Sequence, residues 1–310
     1  MENGRDDSPV LHDHRRQWRD CLYVYPVISR RSKGLSIGVN LNPEKRCTFS
    51  CVYCQVDRHI RRELHAVDID RLRAELELAL GEAVSGAIWR DERFSAVPEQ
   101  FRRINDIAFS GDGEPTCLAN FDQAVQAAAE AKGRFGLEGL KLVVITNATQ
   151  MDSPQFTRAL PILDSCNGEI WAKLDAGTDE FFQTVNRPQP MVPLSRVVEN
   201  IKQVARGREI VIQSLFFRFE GEPPLQAEVV AYCNRLNEII GSGGRIKLIQ
   251  IYTVAREPAE ASVEPLGDGE LEAIAGAVRA AVRGMPVETF YGRSVWPQKI
   301  DRQRIIDSDL

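Results

Sequence analysis

The sequence has no apolar run that approaches the roughly 20 residues a helix needs to cross a bilayer. The first 20 residues contain no apolar stretch, so they do not resemble a secretory signal. Neither a low-complexity tract nor a repeat with the period of roughly 20–50 residues seen in solenoids is present. These absences argue against a membrane partner. We therefore expect a cytoplasmic protein, in which cysteines serve metals or catalysis more often than disulfides.

The composition is that of a soluble globular protein with one large domain or two average ones. The 310 residues are 43% hydrophobic and 27% charged, with 22 Gly and 16 Pro. A formal net charge of −5 argues against a broad nucleic-acid-binding surface. The densest group of cations precedes the cysteines and comprises Arg15, Arg16, Arg19, Arg30, Arg31 and Lys33. We interpret it as a solvated surface, with a local phosphate-binding patch as the alternative.

Six apolar runs alternate with amphipathic helical segments along the chain. The runs are residues 35–41, 104–110, 140–146, 169–175, 208–217 and 245–253, and the helices lie near 68–80, 120–132, 154–160, 194–206, 225–240 and from 268 onward. Apolar strands separated by helices indicate a parallel sheet covered on both faces. The pattern leaves open whether the sheet closes. It predicts an α/β fold, a partial (β/α)6 TIM-like barrel, with ligands at the carboxyl ends of the strands.

Two segments that lack this pattern flank the core. Residues 1–22 are predicted to be a polar N-terminal extension, and residues 23–285 to be the core. Residues 286–310 include aromatic and cationic side chains and are predicted to cap or shape the barrel. Within the core, residues 81–100 contain two glycines and a proline and are predicted to form a loop or insertion.

The loop after the first strand contains three of the seven cysteines, Cys47, Cys51 and Cys54, with C-x3-C-x2-C spacing. Soft thiolate ligands select zinc, copper(I) or iron–sulfur clusters. Three ligands leave one iron of a four-iron cube open to a small molecule, whereas clusters used only for electron transfer normally have four cysteines. The alternative is a closed structural zinc site in which His59 is the fourth ligand.

Polar residues recur at the ends of the later strands. In chain order they are Asp112 and Glu114, Asn147, Lys173 and Asp175, Gln213 and Ser214, and Tyr252 and Thr253. Gly111 and Gly113 flank Asp112 and would let the backbone approach a ligand closely. Each feature alone is typical of a turn or a helix cap. Their recurrence predicts a site assembled from several strand ends, as such folds require.

The C-x3-C-x2-C motif, with Tyr53 before its last cysteine, resembles the signature of the radical S-adenosylmethionine (SAM) superfamily. The resemblance covers about residues 23–258. It implies a [4Fe–4S] cluster on the three cysteines, with the SAM amino and carboxylate groups on the fourth iron. The sequence Gly111-Asp112-Gly113-Glu114 resembles the GGE element that binds the SAM amino group, with Asp112 replacing the second glycine. By strand position, the resemblance implies SAM contacts from Tyr53, Asn147, Lys173, Asp175, Gln213, Ser214, Tyr252, Thr253 and Val254.

Further motifs are similar to the branch that contains the tRNA wyosine-base synthase. They are residues 25–27, 29–31, Pro43, Gln55, SGDGEPT and LIQIYTVAR. Those enzymes carry a second cluster on upstream cysteines, but only Cys21 precedes the motif here, so pyruvate binding at a second cluster is not predicted. The remaining cysteines, Cys21, Cys117, Cys166 and Cys233, are interpreted as separate buried thiols. Of these, Cys117 is the one placed to face the site.

The resemblance also implies the chemistry. A flavodoxin- or ferredoxin-type donor would reduce the cluster, and SAM would be cleaved to methionine and a 5′-deoxyadenosyl radical that takes hydrogen from the substrate. We favour a small-molecule or peptide substrate. A tRNA-modifying enzyme is the first alternative, and a zinc-stabilised non-catalytic adaptor is the second.

Overall fold

The computed structural model describes residues 16–29, 34–56, 66–256, 258 and 260–292. Its strands are β1 (Val24–Ser29), β2 (Gly34–Val39), β3 (Ile104–Phe109), β4 (Lys141–Thr146), β5 (Gly168–Lys173), β6 (Glu209–Leu215), β7 (Phe217–Phe219), β8 (Arg245–Tyr252), β9 (Val263–Pro265) and β10 (Val287–Phe290). Eight of them form one sheet in the order β1-β2-β3-β4-β5-β6-β8-β10. Only the β1–β2 pair of this sheet is antiparallel, whereas β7 and β9 form a separate antiparallel pair.

Helices connect the parallel strands. They are α1 (Ile69–Ser85), α2 (Phe121–Arg134), α3 (Pro154–Ser165), α4 (Asp179–Val185), α5 (Leu194–Gly207), α6 (Gln226–Gly241) and α7 (Asp268–Ala281). Side chains that accept from the first-turn N–H groups define where three of them begin: Asp68 for α1, Ser153 for α3 and Thr178 for α4. Among the described residues, no helix has the length and apolar character needed to span a membrane.

All six predicted strands are present, as β2, β3, β4, β5, β6 and β8, and the α/β fold with a parallel-stranded partial barrel is confirmed. The sheet is wider than predicted because β1 and β10 extend its two edges. Pro26 lies inside β1, and proline is tolerated in a strand at a sheet edge. β10 lies in the segment assigned to the C-terminus, so the parallel sheet continues to Phe290.

Two helical details differ from the expectation. Helix α1 continues to Ser85, into the segment predicted as a loop, and ends at Gly86 in the left-handed conformation (φ 74°). The rest of that segment contains a short 3-10 helix at Ala87–Arg90, irregular turns, and the start of a second 3-10 helix at Glu99–Phe101. The sequence also gave no indication of α4, because its seven residues are too few to establish a helical period.

The core has an outer and an inner part. The helices pack outside the sheet and bury the larger part of the apolar side chains. Inside the barrel, Ala108, Val143, Trp171 and Val211 from four consecutive parallel strands form a separate cluster. Because alternate residues of a strand face opposite sides, these four mark the barrel-facing register. That register decides which strand-end residues can reach the site.

Candidate active site

The carboxyl ends of the parallel strands open into a cavity of about 1160 Å³. It continues into the barrel as far as Ser36 and Asp106, near the amino ends of β2 and β3. Most of the predicted site residues line it: Cys47, Cys51, Tyr53, Cys54, Gly111, Gly113, Glu114, Asn147, Lys173, Gln213, Tyr252, Thr253 and Val254. The fold therefore brings the cysteine loop and five strand ends into one space.

Each of the three motif cysteines accepts a hydrogen bond from an N–H group. The donors are Phe49 N for Cys47 (3.4 Å), Val56 N for Cys54 (3.5 Å) and Asn186 Nδ2 for Cys51 (3.6 Å). Burial, together with the neighbouring Cys47, raises the pKa of the Cys51 thiol to about 12. Its thiolate would therefore form only beside a cation, as in a metal site.

The donor set fits the cluster that the motif implies, because iron–sulfur clusters are held by thiolates that accept hydrogen bonds. Within the described parts of the chain, no three His, Cys, Asp or Glu side chains are grouped to hold a single metal ion. His59, the fourth ligand of the zinc alternative, lies outside the described residues. The fit to a cluster rests on the chemistry of the three cysteines.

The cysteine loop is held by a segment that the sequence did not point to, residues 185–189 after α4. Four backbone hydrogen bonds join the two: Gln189 N donates to Thr48 O (2.7 Å), Ser50 N to both Asn186 O and Arg187 O (3.1 Å each), and Val52 N to Val185 O (2.9 Å). Phe49 also packs edge-on against Phe182 of α4, with ring centroids 5.4 Å apart. The run Val185-Asn186-Arg187 has no strand or helix pattern, so a single sequence carries no signal for this contact.

The two glycines of the GDGE loop, residues 111–114, have a packing role. A Cβ atom at Gly113 would lie 1.7 Å from Arg46 O, and one at Gly111 would lie 2.4 Å from Asn40 Oδ1. Glu114 N donates to the same Arg46 carbonyl at 3.1 Å. The glycines thus let the GDGE loop approach the segment that leads into the cysteines. The sequence had instead suggested that they let the backbone approach a ligand.

Glu114 is a buried carboxylate at the cavity wall. Its Oε1 accepts from Thr116 N (3.2 Å), Thr116 Oγ1 (2.7 Å) and Thr146 Oγ1 (2.7 Å), and its Oε2 accepts from Asn147 N (2.7 Å). Burial raises the pKa of Glu114 above its ordinary value, although these hydrogen bonds oppose the shift. Since a carboxylate oxygen can accept two bonds, Oε2 retains capacity for another donor.

Lys173 is held as a cation between two polar groups. Its Nζ donates to the Tyr252 hydroxyl at 2.7 Å and lies 3.3 Å from Asp175 Oδ2. Asp175 also accepts from Leu215 N at 2.8 Å and from the Tyr53 hydroxyl. Burial alone would lower the pKa of Lys173, but the Asp175 carboxylate and the Tyr252 hydroxyl outweigh it, so the pKa lies above its ordinary value.

Three predicted site residues do not line the cavity. Ser214 bonds the Tyr232 hydroxyl of α6 at 2.6 Å, on the side of β6 opposite to Gln213. Asp112 pairs with Arg16 and accepts from Asn40 Nδ2 at 2.7 Å. The side chains of Ser214 and Asp112 are thus engaged by these partners, whereas Asp175 contacts the cavity-lining residues Lys173 and Tyr53.

The other cysteines lie apart from the motif. Cys21, Cys117, Cys166 and Cys233 are free thiols, and none of the four lines the cavity. Cys233 is buried as expected, whereas the other three are only partly buried. Burial raises the pKa of Cys117 to about 12, which keeps it a neutral thiol. The position of Cys117 after the GDGE loop had suggested that it faces the cavity, but Cys117 is not among the residues that line it.

Comparisons with known sequences give distant relatives. No family model matches the chain. A GTPase Obg of Brachyspira hyodysenteriae is 23% identical over 256 residues, covering 80% of this chain and 32% of that protein. A UPF0026 protein of Synechocystis is 26% identical over 184 residues, covering 58% of each. The chain thus spans about a third of the length of the Obg relative and somewhat over half of the length of the UPF0026 relative.

Solved structures resemble the chain over more of its length. A radical SAM methyltransferase from Sphaerobacter thermophilus matches 87% of this chain and 69% of its own, with a TM-score of 0.60 and 13% identity. Streptococcus suis SuiB bound to S-adenosylmethionine matches 84% and 52%, with a TM-score of 0.54 and 13% identity. A TYW1 structure with a lysine–pyruvate adduct matches 79% and 73%, with a TM-score of 0.50 and 14% identity. The chain therefore has the fold of these solved radical SAM structures, which is the fold that the resemblance of its cysteine motif implies.

Proposed function

We propose that this protein is a radical SAM enzyme that holds a [4Fe–4S] cluster on Cys47, Cys51 and Cys54 and binds SAM beside it. The observation that carries the proposal is the shared cavity, which the cysteine loop, the GDGE loop and the polar strand ends line together. When bound, the cluster would supply the electron that cleaves SAM to methionine and a 5′-deoxyadenosyl radical, which takes hydrogen from the substrate.

The chain's own residues would bind and orient SAM. Glu114 Oε2, which accepts one bond from Asn147 N, has capacity for the SAM ammonium group. The Lys173 ammonium lies at the cavity wall, where it could approach the SAM carboxylate. Gln213 would contact the ribose, and Tyr252, Thr253 and Val254 would line the adenine. Asp112, Asp175 and Ser214 would then act from behind the cavity wall.

The cavity favours a second, small ligand besides SAM. Its volume of about 1160 Å³ exceeds the roughly 300–1,000 Å³ typical of a pocket for one small molecule. Two arginines of the N-terminal basic group are already paired with carboxylates, Arg16 with Asp112 and Arg19 with Glu82. Both observations support a small-molecule or peptide substrate.

The tRNA-modifying alternative draws on the similar TYW1 structure, which contains a lysine–pyruvate adduct. Lys173 is the lysine that lines the cavity in the described residues, and its Nζ is held by the Tyr252 hydroxyl at 2.7 Å and by Asp175 Oδ2 at 3.3 Å. Imine formation requires an unprotonated amine, whereas these contacts favour the ammonium form, so the geometry of Lys173 supports carboxylate binding better than a pyruvate adduct. We do not propose GTP hydrolysis on the basis of the Obg relative. The Walker A phosphate-binding loop contains a Gly-Lys dipeptide, and this sequence has none.

The remaining proposals concern context. We propose a flavodoxin- or ferredoxin-type electron donor and a cytoplasmic location, where thiols stay reduced. The domain division follows the sequence: an extension at 1–22, a core at 23–285 and a C-terminal segment at 286–310 whose first part is β10. The zinc-stabilised adaptor is the alternative that metal analysis separates from the enzyme.

The proposal is tested by SAM cleavage. Anaerobic, iron-loaded protein incubated with dithionite and SAM should release methionine and 5′-deoxyadenosine in equal amounts, measured by liquid chromatography and mass spectrometry. Cys51→Ala should abolish the release. Cys166→Ala, which removes a thiol outside the cavity, should leave it intact. Failure of iron-loaded, SAM-bound wild-type protein to form 5′-deoxyadenosine would overturn the proposal.

A further inference from the structure

Asn186 connects the cysteine loop to the polar groups of the cavity wall. Its side chain is 1% exposed, and Nδ2 lies 2.9 Å from the Tyr53 hydroxyl, 3.6 Å from Cys51 Sγ and 3.4 Å from Asp175 Oδ2. All three neighbours are acceptors for an N–H group, since the Tyr53 hydroxyl donates its own proton to Asp175. The amide nitrogen of Asn186 is thus directed at three acceptors, of which Asp175 is a carboxylate.

The orientation of this amide follows from its surroundings. Turning it over would place its carbonyl oxygen against a carboxylate and a sulfur, which are both acceptors. In the observed orientation, Oδ1 is buried without a hydrogen-bond partner among the described residues. A buried carbonyl without a hydrogen bond lowers stability. The observed orientation therefore leaves Oδ1 unpaired within the described part of the chain while Nδ2 contacts Cys51 Sγ.

The backbone fixes Asn186 in place. It ends α4, where its N–H donates to Phe182 O at 2.9 Å and its carbonyl accepts from Ser50 N at 3.1 Å. At the other end of α4, the N-cap residue Thr178 donates its hydroxyl to Glu228 of α6 at 2.6 Å. The amide is therefore positioned by a helix anchored at both ends, which limits how far it can move from Cys51.

Cys51 differs from the other two motif cysteines in the source of its N–H donor. Cys47 and Cys54 accept from the backbone two residues further on, a donor that any residue except proline supplies. The donor to Cys51 is the Asn186 side chain. The Asn147 amide lies 3.8 Å from Cys47 Sγ, but it makes a closer bond, 2.8 Å, to Thr48 Oγ1. Asn186 is consequently a side chain through which the sequence can adjust charge on a motif sulfur, beside the Tyr53 hydroxyl, which also interacts with Cys51.

We propose that Asn186 is a positioning residue that stabilises the anionic sulfur of Cys51 and thereby raises the reduction potential of the cluster. The inference rests on the proposed function. Hydrogen bonds to the sulfurs are one of the factors that set cluster potentials, because they stabilise the more negative, reduced state. Asn186 thus contributes to how readily an electron donor can reduce the cluster before SAM is cleaved.

Asn186→Leu removes the donor while approximately keeping the shape. Asp175 keeps its bonds from Leu215 N, Tyr53 and Lys173, and the Tyr53 hydroxyl, which also interacts with Cys51, stays in place. Loss of one charge-assisted bond should lower the equilibrium constant for reduction about tenfold. For a one-electron couple this moves the potential about 59 mV more negative. Asn186→Ala, which adds no bulk, should shift it in the same direction.

The measurement is spectroelectrochemical titration of anaerobic, iron-loaded protein without SAM, with iron content determined for each variant. Asn200→Leu is the matched control, because Asn200 is equally buried (1% exposed) and bonds the carbonyls of Ala148 and Thr149 in the loop that follows Asn147. It should reduce stability and leave the potential unchanged. An equal shift in Asn200→Leu would mean that loop disturbance alone explains the effect, and the proposal would be wrong.

Two other outcomes separate this proposal from the one on which it rests. Wild-type protein without a cluster would overturn both. Iron-loaded wild type and Asn186→Leu with the same potential would overturn the role of Asn186 and leave the radical SAM proposal standing. If both Asn186 variants fail to hold iron while Asn200→Leu holds it, Asn186 serves assembly of the site, and its role in setting the potential is refuted.

Discussion

Glu114 and Asp175 are both buried carboxylates, but the charges of their hydrogen-bond donors differ. The four bonds to Glu114 come from neutral groups: the hydroxyls of Thr116 and Thr146 and the N–H groups of Thr116 and Asn147. Asp175 instead lies beside the Lys173 ammonium. Burial raises the pKa of Glu114 because neutral donors do not replace its lost hydration. A cationic ligand would therefore stabilise Glu114 more than Asp175.

Glu114→Gln tests this at the residue scale. The substitution removes the charge and keeps the shape, so SAM affinity should fall by about 1.5–3 kcal/mol, the scale for hydrogen bonds to charged groups. Equilibrium dialysis of iron-loaded protein would measure it. Glu138→Gln, at an exposed position, should bind SAM like the wild type. Unchanged affinity in a folded, iron-loaded Glu114→Gln protein would remove Glu114 from the SAM site.

At the scale of elements, the cysteine loop lies between two supports. The GDGE loop packs against it through Gly113 and the Arg46 carbonyl, and residues 185–189 bond its other side. Apart from Val185, the last residue of α4, neither support belongs to a regular strand or helix. The loop's conformation therefore depends on close backbone approach, which a single added methyl group can disturb.

Gly113→Ala should disturb the first support. The added methyl group would lie 1.7 Å from Arg46 O, so the loop must shift. Overpacking of this kind costs about 1–3 kcal/mol in the free energy of unfolding, which urea titration measures. Gly139→Ala is the matched control, because its methyl group would meet nothing within 4 Å. Equal urea midpoints for both variants would contradict the packing role of Gly113.

Most of the fold was predictable from sequence, because fully buried parallel strands appear as long apolar runs separated by helices. The edge strands were not, since β1 contains Pro26 and β10 has four residues. The alternation of side chains along a strand could have excluded Ser214 from the cavity lining, because Gln213 and Ser214 are consecutive in one strand and point to opposite faces. The contact between Asn186 and Cys51 was beyond prediction, since it is a tertiary contact between two segments whose sequences have no regular pattern.

At the scale of the whole molecule, acidity and pairing of the arginines disfavour a polyanionic partner. The net charge is −5, and Arg16 and Arg19 contact Asp112 and Glu82. Arg15, Arg30 and Arg31 lie outside the described residues. Binding of tRNA through Arg16 or Arg19 would thus have to compete with these ion pairs.

We expect weak, nonspecific tRNA binding. Fluorescence anisotropy over a salt series would measure it, with a log–log slope of about −0.7 to −0.9 for each phosphate contact. The tRNA-modifying alternative instead predicts about micromolar affinity in near-physiological salt that is lost in the triple variant Arg15→Ala, Arg16→Ala, Arg19→Ala. A control triple of surface arginines at 134, 158 and 206 should retain whatever binding the wild type has. Affinity lost only in the first triple would favour tRNA over a small substrate.

Iron and acid-labile sulfide analysis of anaerobically prepared protein, together with its visible spectrum, tests the cluster most directly. Three cysteines on one cavity-lining loop predict brown protein with about four iron and four sulfide per chain. Replacement of Cys47, Cys51 or Cys54 by Ala should abolish the colour, whereas Cys233→Ala should retain it. Colourless wild-type protein with one tightly bound zinc, even after reconstitution with iron and sulfide, would contradict the radical SAM proposal.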